Sequence, residues 1–146
     1  IMANTTSKTA YDIAKSNKTE EYKHPPIVMD MVIAYKNWYG MHQHLPKLFR
    51  VTISTDMLDT LSQCIEIAVL VNFNKNANDN YLLQNIEKLL DLRGKIELLK
   101  AYAQISWEMK FISHGFFAQY YERLEKISKQ AIAWQNWFIK KKGADG

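Results

Sequence analysis

A chain of 146 residues that is 47% apolar and 12% aromatic is long enough and apolar enough for one domain with a sizeable core. Its net charge of +4 and pI near 9.1 fit polyanion binding without requiring it. No apolar run approaches the roughly 20 residues of a membrane span, and the first residues lack the apolar stretch of a secretory signal, so a soluble cytoplasmic protein is expected. The lone Cys64 excludes an internal disulfide and a zinc site built on cysteine pairs.

Residues 1–26 are rich in Asn, Thr, Ser, Lys and Glu and read as a polar N-terminal tail, with a short helix expected from Thr9 to Ser16. Pro25-Pro26 mark the start of the domain, because proline is accepted in a first helical turn but not further in. Apolar residues then recur at Val28, Met31, Tyr35, Trp38, His42 and Leu45, which lines one helix face and predicts a helix that Pro46 stops. Thr52 or Ser54 is the expected cap of a second helix, whose stripe runs Met57, Leu61, Cys64, Ala68 and Val71. The asparagine-rich stretch Asn72 to Asn80 predicts a turn.

A third helix is expected from about Asp79, with Leu82, Ile86, Leu89, Ile96 and Ala103 on its stripe and Arg93 and Lys100 interrupting it. After a break around Ile112 to Gly115, a fourth follows with Phe117, Tyr120, Leu124, Ile127, Ala131, Trp134 and Phe138 in three-four alternation. No alternating strand pattern of useful length appears. The pattern predicts an all-α antiparallel up-down four-helix bundle over residues 27–142, with a C-terminal tail at 143–146.

Catalytic signatures are missing from the sequence: no glycine-rich phosphate loop, no nucleophile elbow and no cysteine-histidine motif. A non-enzymatic protein without cofactor or metal is expected. His42 and His44 stand two apart and point about 200° away from each other on a helix, so they do not chelate one metal. His42 reads as a stripe histidine with a satisfied ring nitrogen, and His114 as part of the turn before the fourth helix.

Charge is distributed unevenly. Residues 27–74 carry three cations and four anions, whereas residues 79–142 carry eleven cations and seven anions. Arg93, Lys95, Lys100 and Lys110 on helix three, Arg123, Lys126 and Lys129 on helix four, and Lys140, Lys141 and Lys142 are candidates for a phosphate-facing surface. Glu122 and Glu125 among them also suit a solvated face with helical ion pairs. Arg93 and Lys100 on a stripe imply an internal ion pair, with Asp91, Glu97 or Asp56 as partner, or a subunit interface. Equally open is a long side chain lying over apolar surface with its head in water. Trp134, Trp137 and Phe138 exceed what one thin bundle end buries, which points to a protein contact. A membrane-surface role for the same aromatics competes with their place on the stripe.

Trp38, then Leu45-Pro46-Lys47 and Arg50, then Leu92-Arg93, then Trp137 stand in an order and spacing that resembles the accessory variability determinant proteins of diversity-generating retroelements. These are relatives of the bundle proteins encoded in intervening sequences of bacterial 23S ribosomal RNA genes. The resemblance spans about residues 27–142. It departs at Ser54 and Asp56, where the family often has glycine and arginine, and at Gln135-Asn136, where it has two glycines. The resemblance implies a homopentamer of four-helix bundles that binds a reverse transcriptase and its template RNA and supports mutagenic complementary-DNA synthesis. It also makes Lys47, Arg50 and Arg93 candidates for nucleic-acid or subunit contacts. The alternative it leaves is an intervening-sequence-type bundle with a structural or interaction role and no reverse-transcriptase partner.

Overall fold

The computed structural model describes residues 24–145, and the helix expected over residues 9–16 lies outside them. In chain order the elements are α1 (Pro26–His42), a single turn α2 (Lys47–Phe49), a π-helical turn π1 (Arg50–Ser54), α3 (Thr55–Phe73), α4 (Asn80–Glu108) and α5 (His114–Asp145). The four long helices form an all-α bundle, with no strand among the described residues.

Pro26 occupies the first turn of α1, where its missing N–H costs nothing, and Ile27, Val28, Met31, Ala34 and Trp38 fill the buried face. The helix ends at His42 rather than running on to Pro46. Pro46 excludes residue 45 from helical geometry, and the turn closes earlier through His44 N–H to Met41 O (2.9 Å) and Leu45 N–H to His42 O (3.1 Å). Leu45 still reaches the core from this turn.

Neither Thr52 nor Ser54 caps a helix. The chain becomes helical immediately after Pro46 and continues through π1 into α3, with both residues inside that path. Phe49 and Ser54, five residues apart, are both buried. An α-helix would place them about 140° apart, and the wider π turn brings them to one side. In α3 all five expected stripe residues, Met57, Leu61, Cys64, Ala68 and Val71, are buried.

The buried face of α4 differs from the one expected. It runs Leu82, Asn85, Leu89, Leu92, Ile96, Leu99, Ala103 and Ser106, an unbroken three-four alternation. Leu92 and Leu99 hold the positions assigned to Arg93 and Lys100, which sit one residue along, about 100° around the helix. In α5 Tyr120, Leu124, Ile127, Ala131 and Phe138 are buried, while Phe117 and Trp134 are half-buried. The helix continues to Asp145, so the stretch expected as a tail from residue 143 is helical that far.

Each long helix packs on its neighbours in sequence, and α1 closes the ring against α5. Tyr120 Oη donates to Ala34 O (2.8 Å) and Gln130 Nε2 to Asp30 Oδ2 (2.7 Å), so α1 and α5 run antiparallel. Along α4 and α5 the pairs 107–117, 100–125 and 93–135 give the same opposed register.

Candidate nucleic-acid interface

At the corner after α1, Lys47 is exposed, but Arg50 is half-buried and donates from Nη1 to the Leu45 carbonyl at 2.8 Å. The guanidinium satisfies a carbonyl left over where the helix stops, so Arg50 is a fastening of the corner rather than a surface cation. Phe49 packs on Phe111 with ring centroids 4.7 Å apart, which joins the corner to the α4–α5 turn. Ser54 Oγ accepts from Trp38 Nε1 at 2.9 Å and shares a 2.6 Å hydrogen bond with His42 Nδ1. His42 therefore has the satisfied ring nitrogen its place in the stripe implied. His114 stacks at a tilt on Trp107, 5.5 Å between centroids.

The cations of α4 are drawn back from its outward face. Arg93, Lys95 and Lys100 are all half-buried, whereas Glu87, Asp91, Glu97 and Glu108 are exposed, so the outward charge of α4 is acidic. Arg93 Nη1 donates to Gln135 Oε1 at 2.6 Å, and Gln135 Nε2 donates in turn to the Ile86 carbonyl at 3.1 Å. Gln135, buried on α5, is thus the partner of Arg93. Lys95 pairs with Asp91 at 3.6 Å. Lys100 Nζ meets Glu125 at 2.6 Å and Glu97 at 2.9 Å, and lies 5.5 Å from the Tyr121 ring centroid. Burial alone would make the Lys100 ammonium easier to discharge, but hydrogen bonds to the two carboxylates outweigh it and hold its pKa above the ordinary lysine value. The same bond from Lys100 holds the Glu125 carboxyl below its ordinary range. Lys110, in the α4–α5 turn, is exposed and adopts φ 65°.

On α5 the picture differs. Gln119, Glu122, Arg123 and Lys126 line an open hollow of about 320 Å³, and Lys129 and Lys140 continue along the outward side at helical spacing. Lys126 reaches Asp30 at 3.6 Å with a side chain that stays 67% exposed, a weak tie in water. Trp137 is 47% exposed, and Lys141 Nζ stands 5.0 Å from its ring centroid. Lys142 is exposed as well. Phe138 is fully buried, Trp134 is half-buried and lines an open apolar hollow with Pro25, Pro26 and Ile27, and Trp137 is the most exposed of the three terminal aromatics.

No protein-family model, curated protein or solved structure matches the chain. Among the described residues, no group of three or more His, Cys, Asp or Glu is placed to hold a metal, and no helix is long and apolar enough to cross a membrane. Burial pushes the Cys64 thiol up to about 12, so it stays protonated and unreactive.

Three features of this region escaped the sequence reading. Gln135 and Glu125 fasten Arg93 and Lys100, and acids occupy the outward side of α4. Counting the stripe from Leu82 through Leu92 and Leu99, rather than through Arg93 and Lys100, is the signal that places the acids outward, whereas the partners Gln135 and Glu125 emerge only once α4 and α5 are packed.

Proposed function

We propose that the chain is a non-enzymatic accessory protein that binds RNA along the outward side of α5 and supports a reverse transcriptase, as its resemblance implies. The observation that carries this reading is the strip of Arg123, Lys126, Lys129 and Lys140, with Trp137 exposed in the same strip under Lys141. Cations at helical spacing neutralise successive phosphates, and an exposed indole beside them offers a face on which an unpaired base can stack. Arg93, Lys95 and Lys100 are left out of it, because each is half-buried and held by a partner within the protein.

A salt titration of single-stranded RNA binding tests the reading. Four phosphate contacts give a slope of log K against log salt of about −2 to −3. Lys126→Glu with Lys129→Glu should lower affinity at least tenfold and flatten that slope, while Trp137→Ala should weaken binding at all salt concentrations. A slope near zero sinks the RNA reading. Co-purification with a reverse transcriptase tests the partner, and its failure beside intact RNA binding would favour the intervening-sequence-type role.

A further inference from the structure

The geometry points to a second, chemically opposite surface: the outward face of α4 is a docking groove for a cationic amphipathic helix of a partner protein. Leu83, Leu90, Leu98, Ile105 and, just past the helix end, Met109 are 37–59% exposed, and their spacing of seven, eight, seven and four residues gathers them within about 100° of the helix circumference, facing away from the core on the side that Glu87, Asp91, Glu97 and Glu108 share. Gly94 and Ala101 stand in the gaps of that stripe, and a Cβ at Gly94 would meet nothing within 4 Å. Small residues between leucines let a second helix approach closely, in the manner of ridges seated in grooves.

The stripe ends in a hollow. Ile105 and Met109 form one wall of an apolar pocket of about 390 Å³, whose other side is made by Pro46, Leu48, Phe49 and Ile53 of the corner. Leu48 is 76% exposed at its mouth. A long stripe leading into one deeper pocket matches helix-in-groove recognition, in which spaced side chains lie along the groove and one large side chain anchors the complex.

Charge selects the occupant. Every exposed charged residue of α4, namely Glu87, Asp91, Glu97 and Glu108, is acidic, while its cations are turned toward α3 and α5 and half-buried. A second copy meeting this face with its own α4 would oppose acid to acid, and the cationic side of its α5 is the surface that the RNA reading assigns to phosphate. A helix with an apolar stripe and lysine or arginine beside it fits both the leucines and the acids interleaved with them. This surface stands apart from the RNA strip, which needs cations on a different helix.

Two synthetic 21-residue helices with one leucine stripe, flanked by lysine in one and glutamate in the other, test the groove on the full chain by calorimetry. Saturable one-to-one binding of the lysine-flanked helix is expected, with at least tenfold weaker binding of the glutamate-flanked one. Leu90→Asp and, separately, Leu98→Ser should each lower the first affinity at least tenfold, with helicity and RNA binding unchanged. Glu87→Lys with Glu108→Lys, which leaves two acids facing two lysines, should remove the preference between the helices. Equal binding of both helices, or insensitivity to Leu90→Asp and Leu98→Ser, overturns the proposal. So does a native mass showing an oligomer that Leu90→Asp splits, because the groove is then occupied by a second copy.

Discussion

Ser54 holds the corner together through one oxygen. It is fully buried, and its Oγ is the acceptor for the indole N–H of Trp38, itself fully buried, while bonding to His42. A helix entering through an ordinary α turn would aim this hydroxyl elsewhere; π1 is what turns it inward. Removing the hydroxyl leaves a buried donor without an acceptor, which costs more than the net worth of the bond itself. Ser54→Ala is therefore expected to destabilise the protein by about 1–3 kcal/mol, read from urea unfolding followed by tryptophan fluorescence. A loss below about 0.5 kcal/mol would mean that Trp38 and His42 find other partners.

At the scale of elements, the end of α4 illustrates how a helix closes without glycine. Lys110 N–H bonds to Trp107 O and Phe111 N–H to Ser106 O, both at 2.9 Å, the paired bonds of a Schellman motif with Lys110 at its left-handed position. A side chain in that conformation costs roughly 1–2 kcal/mol, of which glycine would return part through its looser unfolded chain. Lys110→Gly should thus raise stability by about 0.5–1 kcal/mol, checked by the shift of the urea midpoint. Its RNA affinity should hold, since the strip on α5 is untouched. A destabilised variant would show that the lysine side chain does more for the turn than the strain costs.

The same element scale shows what the sequence made legible. The stripes of α3 and α5 were readable because no charged residue falls on them. In α4 the seven-residue series Leu82, Leu89, Ile96 and Ala103 can be completed at 92 and 99 or at 93 and 100, so periodicity alone did not say whether Leu92 and Leu99 or Arg93 and Lys100 face inward. The π turn was invisible for another reason. Arg50 to Ser54 carries no residue that demands it, and the fold imposes it by seating both Phe49 and Ser54 in the core. Hydrogen bonds between side chains far apart in sequence, such as Arg93 to Gln135, need the packed helices before they can be seen.

At the scale of the whole molecule, the ring order of the bundle places α4 beside α5 and turns opposite charges outward on the two: acids and leucines on one helix, lysines and a tryptophan on the other. The cations that would blur this division, Arg93 and Lys100, are drawn into the seam between the helices by Gln135 and Glu125. The division predicts independent binding. Residues without shared partners contribute additively, usually within about 0.5 kcal/mol, and Leu90 lies on the outward face of α4 while Lys126 pairs with Asp30 on the α1 side of α5. In the triple variant Leu90→Asp, Lys126→Glu, Lys129→Glu, RNA affinity should match that of the two lysine changes alone, and affinity for the lysine-flanked helix should match that of Leu90→Asp alone. Calorimetric titration of each ligand in the presence of the other measures this directly. Coupling of more than about 1 kcal/mol would mean that the seam between α4 and α5 transmits binding from one face to the other, and Lys100→Met, which removes the bridge to Glu125, should then abolish it.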